Sequence, residues 1–243
     1  MLTGPQFSPD VRMSNPIHPA ERLKTILESL QDAARMTGRD PSSVHLLAVS
    51  KQHPAAAIRA LAQAGQRDFG ENYLQEALPK LAELSDLNLT WHFIGQLQSN
   101  KTRAVAEHFQ WVHTVDRDKI ATRLNDQRPH YAPALQVCIQ VKLAEEADKG
   151  GVWPDAVLPL AEHIRQLPRL KLRGLMCIPP PTDSTAEQLA HFTRLKTLFD
   201  TLNQQHLEMD TLSMGMSNDY PAAIQAGSTL VRIGTALFGE RQY

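Results

Sequence analysis

Short apolar runs recur along this chain, and a stretch with helical periodicity separates most of them from the next. The early runs lie roughly 20 to 25 residues apart, which leaves room for one helix per connection and favours parallel strands. Eight such units can close into a barrel, so we predict an α/β fold of the (β/α)8 (TIM barrel) type. An open, doubly wound sheet shows the same alternation and is the alternative. The runs are residues 46–50, 68–70, 91–95, 111–115, 135–141, 172–178, 211–214 and 230–234.

The chain before the first run divides into a tail and a helix. Residues 1–17 contain Pro, Ser and Asn and are predicted to form a flexible tail. Apolar residues at steps of three and four predict an amphipathic helix over residues 19–37, which Gly38 can end. No Gly/Ser linker follows, so residues 18–243 are predicted to form a single barrel domain with this extra N-terminal helix. Pro79 lies in a later helical stretch and predicts either a kink or a break followed by a second helix.

Charge and cysteine usage exclude several classes of protein. Lys and Arg number 25 against 26 Asp and Glu, a formal net charge of −1, which speaks against a nucleic-acid partner. The first residues lack the layout of a signal peptide, and no run approaches the ~18 apolar residues of a membrane span. Cys138 and Cys177 lie in apolar runs and are predicted to be buried free thiols. We therefore expect a cytoplasmic protein without a membrane partner.

Polar residues that follow the apolar runs are candidates for ligand binding, because parallel α/β folds bind ligands at the carboxyl ends of their strands. Lys51 follows the first run and is either a solvated lysine or a partly desolvated amine that forms an imine with an aldehyde. Gly234 and Thr235 follow the last run and either bind a phosphate at a helix start or form a tight turn. Ser217 follows the seventh run and either faces the same phosphate or caps the next helix.

Five strings of this sequence closely resemble the pyridoxal phosphate (PLP) homeostasis protein family. The resemblance spans nearly the whole predicted domain, and the order and spacing of the strings make coincidence a poor explanation. This family is similar in fold to the barrel domain of alanine racemase and lacks that enzyme's second, β-rich domain. The strings are AVSK at 48–51, FGENYLQEA at 69–77, WHFIGQLQSNK at 91–101, SMGMSNDY at 213–220 and RIGTALFG at 232–239.

The resemblance implies a role for each residue of a PLP site. Lys51 would hold PLP covalently as a Schiff base, and Ser217, Gly234 and Thr235 would bind its phosphate. Arg232 would approach the pyridine nitrogen, and its guanidinium only donates hydrogen bonds, so the ring would stay a weak electron sink. A surface position for Arg232 is the poorer alternative, because its neighbours Val231 and Ile233 are expected to point to the opposite, helix-covered side of the strand.

Two further residues resemble family positions that line the cofactor region. Asn72 would bond the ring hydroxyl of PLP or would cap the following helix, and we weigh these equally. His92 lies within a strand, where a hydrogen-bonded core histidine is commoner than a functional one. We predict no metal site, because the ten histidines show neither an HExxH motif nor Cys/His ligand spacing.

Three charged residues are weaker candidates. Lys101, Arg103 and Lys149 would make secondary phosphate or allosteric contacts, although a solvated loop charge is the commoner case for each. The wording around Lys149 also departs from that of the family.

Three functions compete for this sequence. In the first, the protein is a PLP carrier that holds the aldehyde as an imine on Lys51 and passes it transiently to apo-enzymes, without turnover of amino acids and as a monomer. In the second it is a PLP-dependent, racemase-like enzyme, which needs a second acid or base on the opposite face of the cofactor. The chain ends at Tyr243, which leaves no room for a domain that would supply that group, so we favour the carrier. A PLP-free lysine aldolase is the third function.

Overall fold

Helices and strands alternate in the computed structural model, which describes residues 18–145 and 150–239. The predicted tail, residues 1–17, and Lys149 lie outside the described residues. The strands are β1 (His45–Val49), β2 (Asp68–Glu71), β3 (Thr90–Phe93), β4 (Trp111–Val115), β5 (Leu135–Gln140), β6 (Leu170–Met176), β7 (Thr211–Ser213) and β8 (Leu230–Ile233). The helices are α1 (Pro19–Met36), α2 (Ala55–Gln63), α3 (Leu74–Glu83), α4 (Thr102–His108), α5 (Asp118–Gln127), α6 (Pro154–Arg165), α7 (Thr185–Asn203), α8 (Tyr220–Ala226) and α9 (Thr235–Phe238), with a 3-10 turn at Pro41–Ser43.

The eight strands form one closed parallel barrel in chain order. Each strand pairs with the next, and β8 pairs in parallel with β1, where Arg232 lies opposite Leu47. The (β/α)8 prediction is therefore confirmed, and the open sheet is wrong. Closure matters for function because the carboxyl ends of all eight strands meet at one rim.

Successive residues of a barrel strand face opposite sides, and β8 shows the consequence. Val231 and Ile233 are fully buried in the large apolar core between the barrel and its helices. Leu230 belongs instead to a small apolar cluster with Leu47 and Ile94. Since Arg232 alternates with the outward-facing residues, it shares the inward face with Leu230.

The N-terminal helix α1 confirms the predicted amphipathic pattern. Its buried residues Leu23, Leu30 and Ala34 recur on one face, and the helix packs against α8 and α9 at the last units of the barrel. The α3 helix continues through Pro79, so the predicted break is wrong; the ring costs the helix one backbone hydrogen bond.

The two cysteines are buried free thiols, as predicted. Burial raises the pKa of Cys138 and of Cys177 to about 12, so both thiols stay protonated at neutral pH. Within residues 18–145 and 150–239, no helix is long and apolar enough to cross a membrane.

Candidate PLP site at the carboxyl rim of the barrel

The structure places the candidate ligand residues at the carboxyl ends of four strands. Lys51 lies in the turn after β1, and Asn72 follows β2 directly. Ser217 lies between β7 and α8, while Gly234 and Thr235 follow β8. Because β8 is bonded to both β7 and β1, three of these segments are neighbours around the rim.

The residue before Lys51 is held by a buried polar cluster. Ser50 is fully buried; its backbone N–H donates to the Gly70 carbonyl (2.9 Å) and its hydroxyl donates to the Glu71 carboxylate (2.7 Å). The Lys80 ammonium on α3 donates to the Ser50 carbonyl and to the same Glu71 oxygen, each at 3.0 Å. These bonds fix the backbone from which Lys51 projects.

The Glu71 carboxylate is the most enclosed acid of this cluster. Burial raises its pKa, against the opposing effects of the Ser50 hydroxyl and the Lys80 ammonium. One carboxylate oxygen, Oε2, is buried and has no hydrogen-bond partner among the described residues. The cluster therefore contributes order to the Lys51 turn at a cost in desolvation.

The turn that carries Lys51 is also tied to two helices. Gln52 adopts a left-handed backbone conformation (φ 62°), which is strained for a residue other than glycine, and its N–H donates to the Glu76 carboxylate on α3. The His53 ring stacks on Phe238 of α9, with ring centroids 4.5 Å apart. The first and last units of the barrel thus meet beside Lys51.

The segment after β8 brings backbone and a hydroxyl to the rim. Thr235 is exposed and begins the short helix α9, with Gly234 at its N-cap. A Cβ at Gly234 would lie 3.2 Å from the Val49 carbonyl oxygen, so this residue lets β8 and β1 approach closely at the rim. This packing agrees with a tight turn, which places the exposed Thr235 at the rim.

Ser217 does not cap a helix. The next helix, α8, begins at Tyr220 with Asp219 in the N-cap position, so the capping alternative is wrong. Ser217 is exposed, while the Asp219 carboxylate accepts from the Met216 N–H at 2.6 Å and so shapes the loop around it. Gly215 enters this loop at φ 99°, a conformation that favours glycine.

Arg232 is buried with 4% of its surface exposed, which excludes a surface arginine. Its Nη1 donates to the carbonyl and to the hydroxyl of Ser213 (2.7 and 2.8 Å), and its Nη2 donates to the Cys177 carbonyl (2.9 Å). Burial lowers its pKa, but an arginine so far from neutrality stays protonated. The described residues therefore use three of its five N–H groups.

Asn72 lines a cavity of about 600 Å³ beside the β2 and β3 ends. The following helix begins at Leu74 with Tyr73 in the N-cap position and no side-chain capping bond, so the capping alternative is wrong here as well. The Asn72 Oδ1 atom is buried and has no partner among the described residues. Lys101 lines the same cavity, whereas Arg103 is exposed and lies 3.9 Å from the Glu107 carboxylate.

His92 is a buried core histidine with partners on both ring nitrogens. Its Nε2 lies 3.0 Å from an oxygen of Asp68 and its Nδ1 lies 2.9 Å from Nε2 of His113. The Nδ1 of His113 lies 2.8 Å from the Ser213 hydroxyl, which accepts from Arg232. Sequence reasoning missed Asp68 and His113, although polar residues on the inward face of barrel strands were a signal for them. Across residues 18–145 and 150–239, no group of three or more His, Cys, Asp or Glu side chains is placed to hold a metal ion.

Known proteins resemble this chain over nearly its whole length. Residues 22–242 match the family described as alanine racemase, N-terminal domain. The pyridoxal phosphate homeostasis protein of Pseudomonas aeruginosa is 59% identical over 224 residues, covering 92% of this chain and 96% of that protein. Its counterpart in Vibrio cholerae is 55% identical over 227 residues, with 92% and 96% covered.

A solved structure extends the likeness to three dimensions. PipY of Synechococcus elongatus is 44% identical, and its structure with PLP bound superposes with a TM-score of 0.80 over 91% of this chain and 100% of that chain. Its structure without PLP gives a TM-score of 0.82 over 90% and 99%. The identity, the coverage and the shared barrel together show that this chain belongs to the pyridoxal phosphate homeostasis protein family.

Proposed function

We propose that this protein is a PLP carrier that holds the cofactor as a Schiff base on Lys51 and supplies it to apo-enzymes. The observation that carries the proposal is the position of Arg232, a buried permanent cation on the inward face of β8, two residues before the Gly234 turn. The names of the relatives and the PLP-bound structure of PipY support it.

The chemistry of the rim residues fits the groups of PLP. The buried Asn72 Oδ1, which has no partner among the described residues, can accept a hydrogen bond that the ring hydroxyl donates. The two remaining N–H groups of Arg232, on Nε and Nη2, suit an unprotonated pyridine nitrogen. The exposed Thr235 and Ser217 suit a phosphate.

The charge of Arg232 favours a carrier over an enzyme. When bound, PLP supplies an aldehyde that reacts with amines and a ring that withdraws electrons. A guanidinium donates a hydrogen bond to the ring nitrogen and does not accept one. The nitrogen therefore stays unprotonated, and the ring stays a weak electron sink. A racemase also needs a second acid or base across the cofactor plane, and the turnover experiment below tests for that activity.

The carrier function further predicts a cytoplasmic monomer that meets PLP-dependent apo-enzymes transiently. The near-neutral net charge of −1 gives no reason to expect a nucleic-acid partner. An open rim lets an apo-enzyme approach, and exchange of the imine on Lys51 for another amine provides a route of release.

The test compares transfer with turnover. PLP-loaded protein is mixed with an apo-transaminase, and recovery of the transaminase activity is followed with and without a scavenger of free PLP. In parallel, the loaded protein is incubated with L-amino acids while chirality and keto acids are measured. We expect reactivation and only trace turnover. Turnover on the order of 1 per second or faster would overturn the carrier in favour of the racemase-like enzyme.

A further inference from the structure

A continuous line of polar side chains crosses the interior of the barrel. It runs from Arg232 on β8 through Ser213 on β7, His113 on β4 and His92 on β3 to Asp68 at the start of β2, with contacts of 2.8 to 3.0 Å. The three middle side chains are buried, with at most 1% of each residue exposed. Asp68 is 46% exposed and lines a cavity of about 470 Å³ near the amino ends of the strands.

With both imidazoles neutral, the chemistry of the two ends determines the direction of every hydrogen bond. Arginine only donates and a carboxylate only accepts. His92 must therefore carry its proton on Nε2 to donate to Asp68, which leaves its Nδ1 to accept from Nε2–H of His113. The bare Nδ1 of His113 then accepts the Ser213 hydroxyl proton, and the Ser213 oxygen accepts from Arg232. Every group is satisfied when both imidazoles are neutral.

The surroundings of both rings favour that neutral state. Burial lowers the pKa of His113 well below its usual value, and the neighbouring His92 and Arg232 lower it further. Burial also lowers the pKa of His92, although Asp68 opposes the shift. A positive charge on either ring would turn the His113 Nδ1 into a donor and leave the Ser213 hydroxyl proton without this acceptor.

We propose that His113, His92 and Ser213 are positioning residues that orient the Arg232 guanidinium for the pyridine nitrogen of PLP and connect it to the distant Asp68 carboxylate. This inference rests on the proposed function for the identity of the ligand. Its geometry stands on the four hydrogen bonds alone.

The arrangement separates two requirements that conflict when a carboxylate touches a cofactor. A buried guanidinium needs polarised acceptors to offset its desolvation. A carboxylate near the ring would accept a hydrogen bond from a protonated pyridine nitrogen, stabilise that protonated form and so strengthen the ring as an electron sink. Aligned hydrogen bonds polarise one another. The line of hydrogen-bonded side chains therefore supplies Arg232 with a polarised acceptor, while the carboxylate of Asp68 lies on the far side of the barrel.

The first experiment uses the protein without PLP. Nitrogen-15 NMR of the histidine rings at neutral pH reports the protonation and tautomer of each imidazole. We expect His92 and His113 both to be neutral with the proton on Nε2. A charged ring, or a proton on Nδ1 of either residue, would overturn the assigned chain.

The second experiment measures PLP binding by absorbance and fluorescence. His113→Leu breaks both contacts of the ring, whereas His113→Asn keeps an acceptor near the Nδ1 position that Ser213 needs. We expect the Kd for PLP to rise about tenfold in His113→Leu, with a shifted band for bound PLP, and both to return toward wild type in His113→Asn.

The control is Thr114→Val. Thr114 lies next to His113 on β4 but takes no part in the line of hydrogen bonds, and the substitution removes a buried hydroxyl that donates to the Gly95 carbonyl (2.6 Å). A His113→Leu protein with the Kd and band of this control would overturn the positioning role. If wild type binds no PLP, the proposed function fails, and the NMR tautomers still decide whether the chain exists.

Discussion

Acidification should destabilise this protein through His113 in a way that one substitution can isolate. His113 is fully buried between Ser213 and His92, and its pKa lies well below the usual value because of burial and the neighbouring His92 and Arg232. These two residues, on β3 and β8, are the titratable groups that act on it, and both disfavour a positive charge.

The sign follows from linkage between protonation and folding. A histidine whose pKa is lowered by folding does not reduce the free energy of unfolding above its unfolded pKa of about 6.5, because it is neutral in both the folded and the unfolded state there. As the pH falls below that value, only the unfolded state takes up a proton, and stability is lost until the folded pKa is reached. One neutral buried histidine therefore lowers the free energy of unfolding by about 1.4 kcal/mol between pH 7.5 and pH 5.5.

The assay is urea denaturation of wild type and His113→Asn at several pH values between 7.5 and 5.5. Other groups titrate in both proteins, so the difference between the two curves isolates His113. We expect wild type to lose about 1.4 kcal/mol more than the variant over this interval. Parallel curves, or a larger loss in the variant, would refute the neutral buried state.

Two further experiments test the rim. Lys80→Met leaves the buried Glu71 carboxylate without its cationic partner and should lower the free energy of unfolding in urea by on the order of 3–5 kcal/mol. The control Lys24→Met removes an exposed partner of Glu28 at 3.9 Å and should change that free energy little. Equal effects of the two substitutions would show that the buried ion pair stabilises the fold no more than the exposed one. Combining Ser217→Ala with Thr235→Ala should weaken the binding of PLP far more than the binding of pyridoxal in equilibrium titrations, since each hydroxyl bond to a charged phosphate contributes on the order of 1.5–3 kcal/mol. Equal weakening of the binding of both ligands would place the phosphate elsewhere.

The barrel was predictable because its signal is local and repeated. Each apolar run overlaps a strand. Within α7, apolar residues recur at steps of three and four, which is the helical period: Leu189, Phe192, Leu195, Phe199 and Leu202. The capping alternatives for Asn72 and Ser217 were wrong because the N-cap positions of the following helices are occupied by Tyr73 and Asp219.

The interior network was not predictable from single strands. Contacts among Asp68, His92, His113, Ser213 and Arg232 join five strands that are far apart in sequence. They depend on barrel closure and strand register, which local periodicity does not specify. The cluster of Ser50, Glu71 and Lys80 was missed for a related reason, because it needs α3 to pack against β1 and β2.

Borohydride trapping followed by peptide mapping tests the central claim most directly. Reduction of the PLP-loaded protein turns an imine into a stable amine, and mass spectrometry then locates the pyridoxyl group. Lys101→Ala is the matched control, since Lys101 lies at the same rim and lines the cavity beside Asn72. We predict that wild type and Lys101→Ala carry the group on the peptide with Lys51 and that Lys51→Ala carries none. A pyridoxyl group on another lysine of wild type, or one retained in Lys51→Ala, would contradict the account.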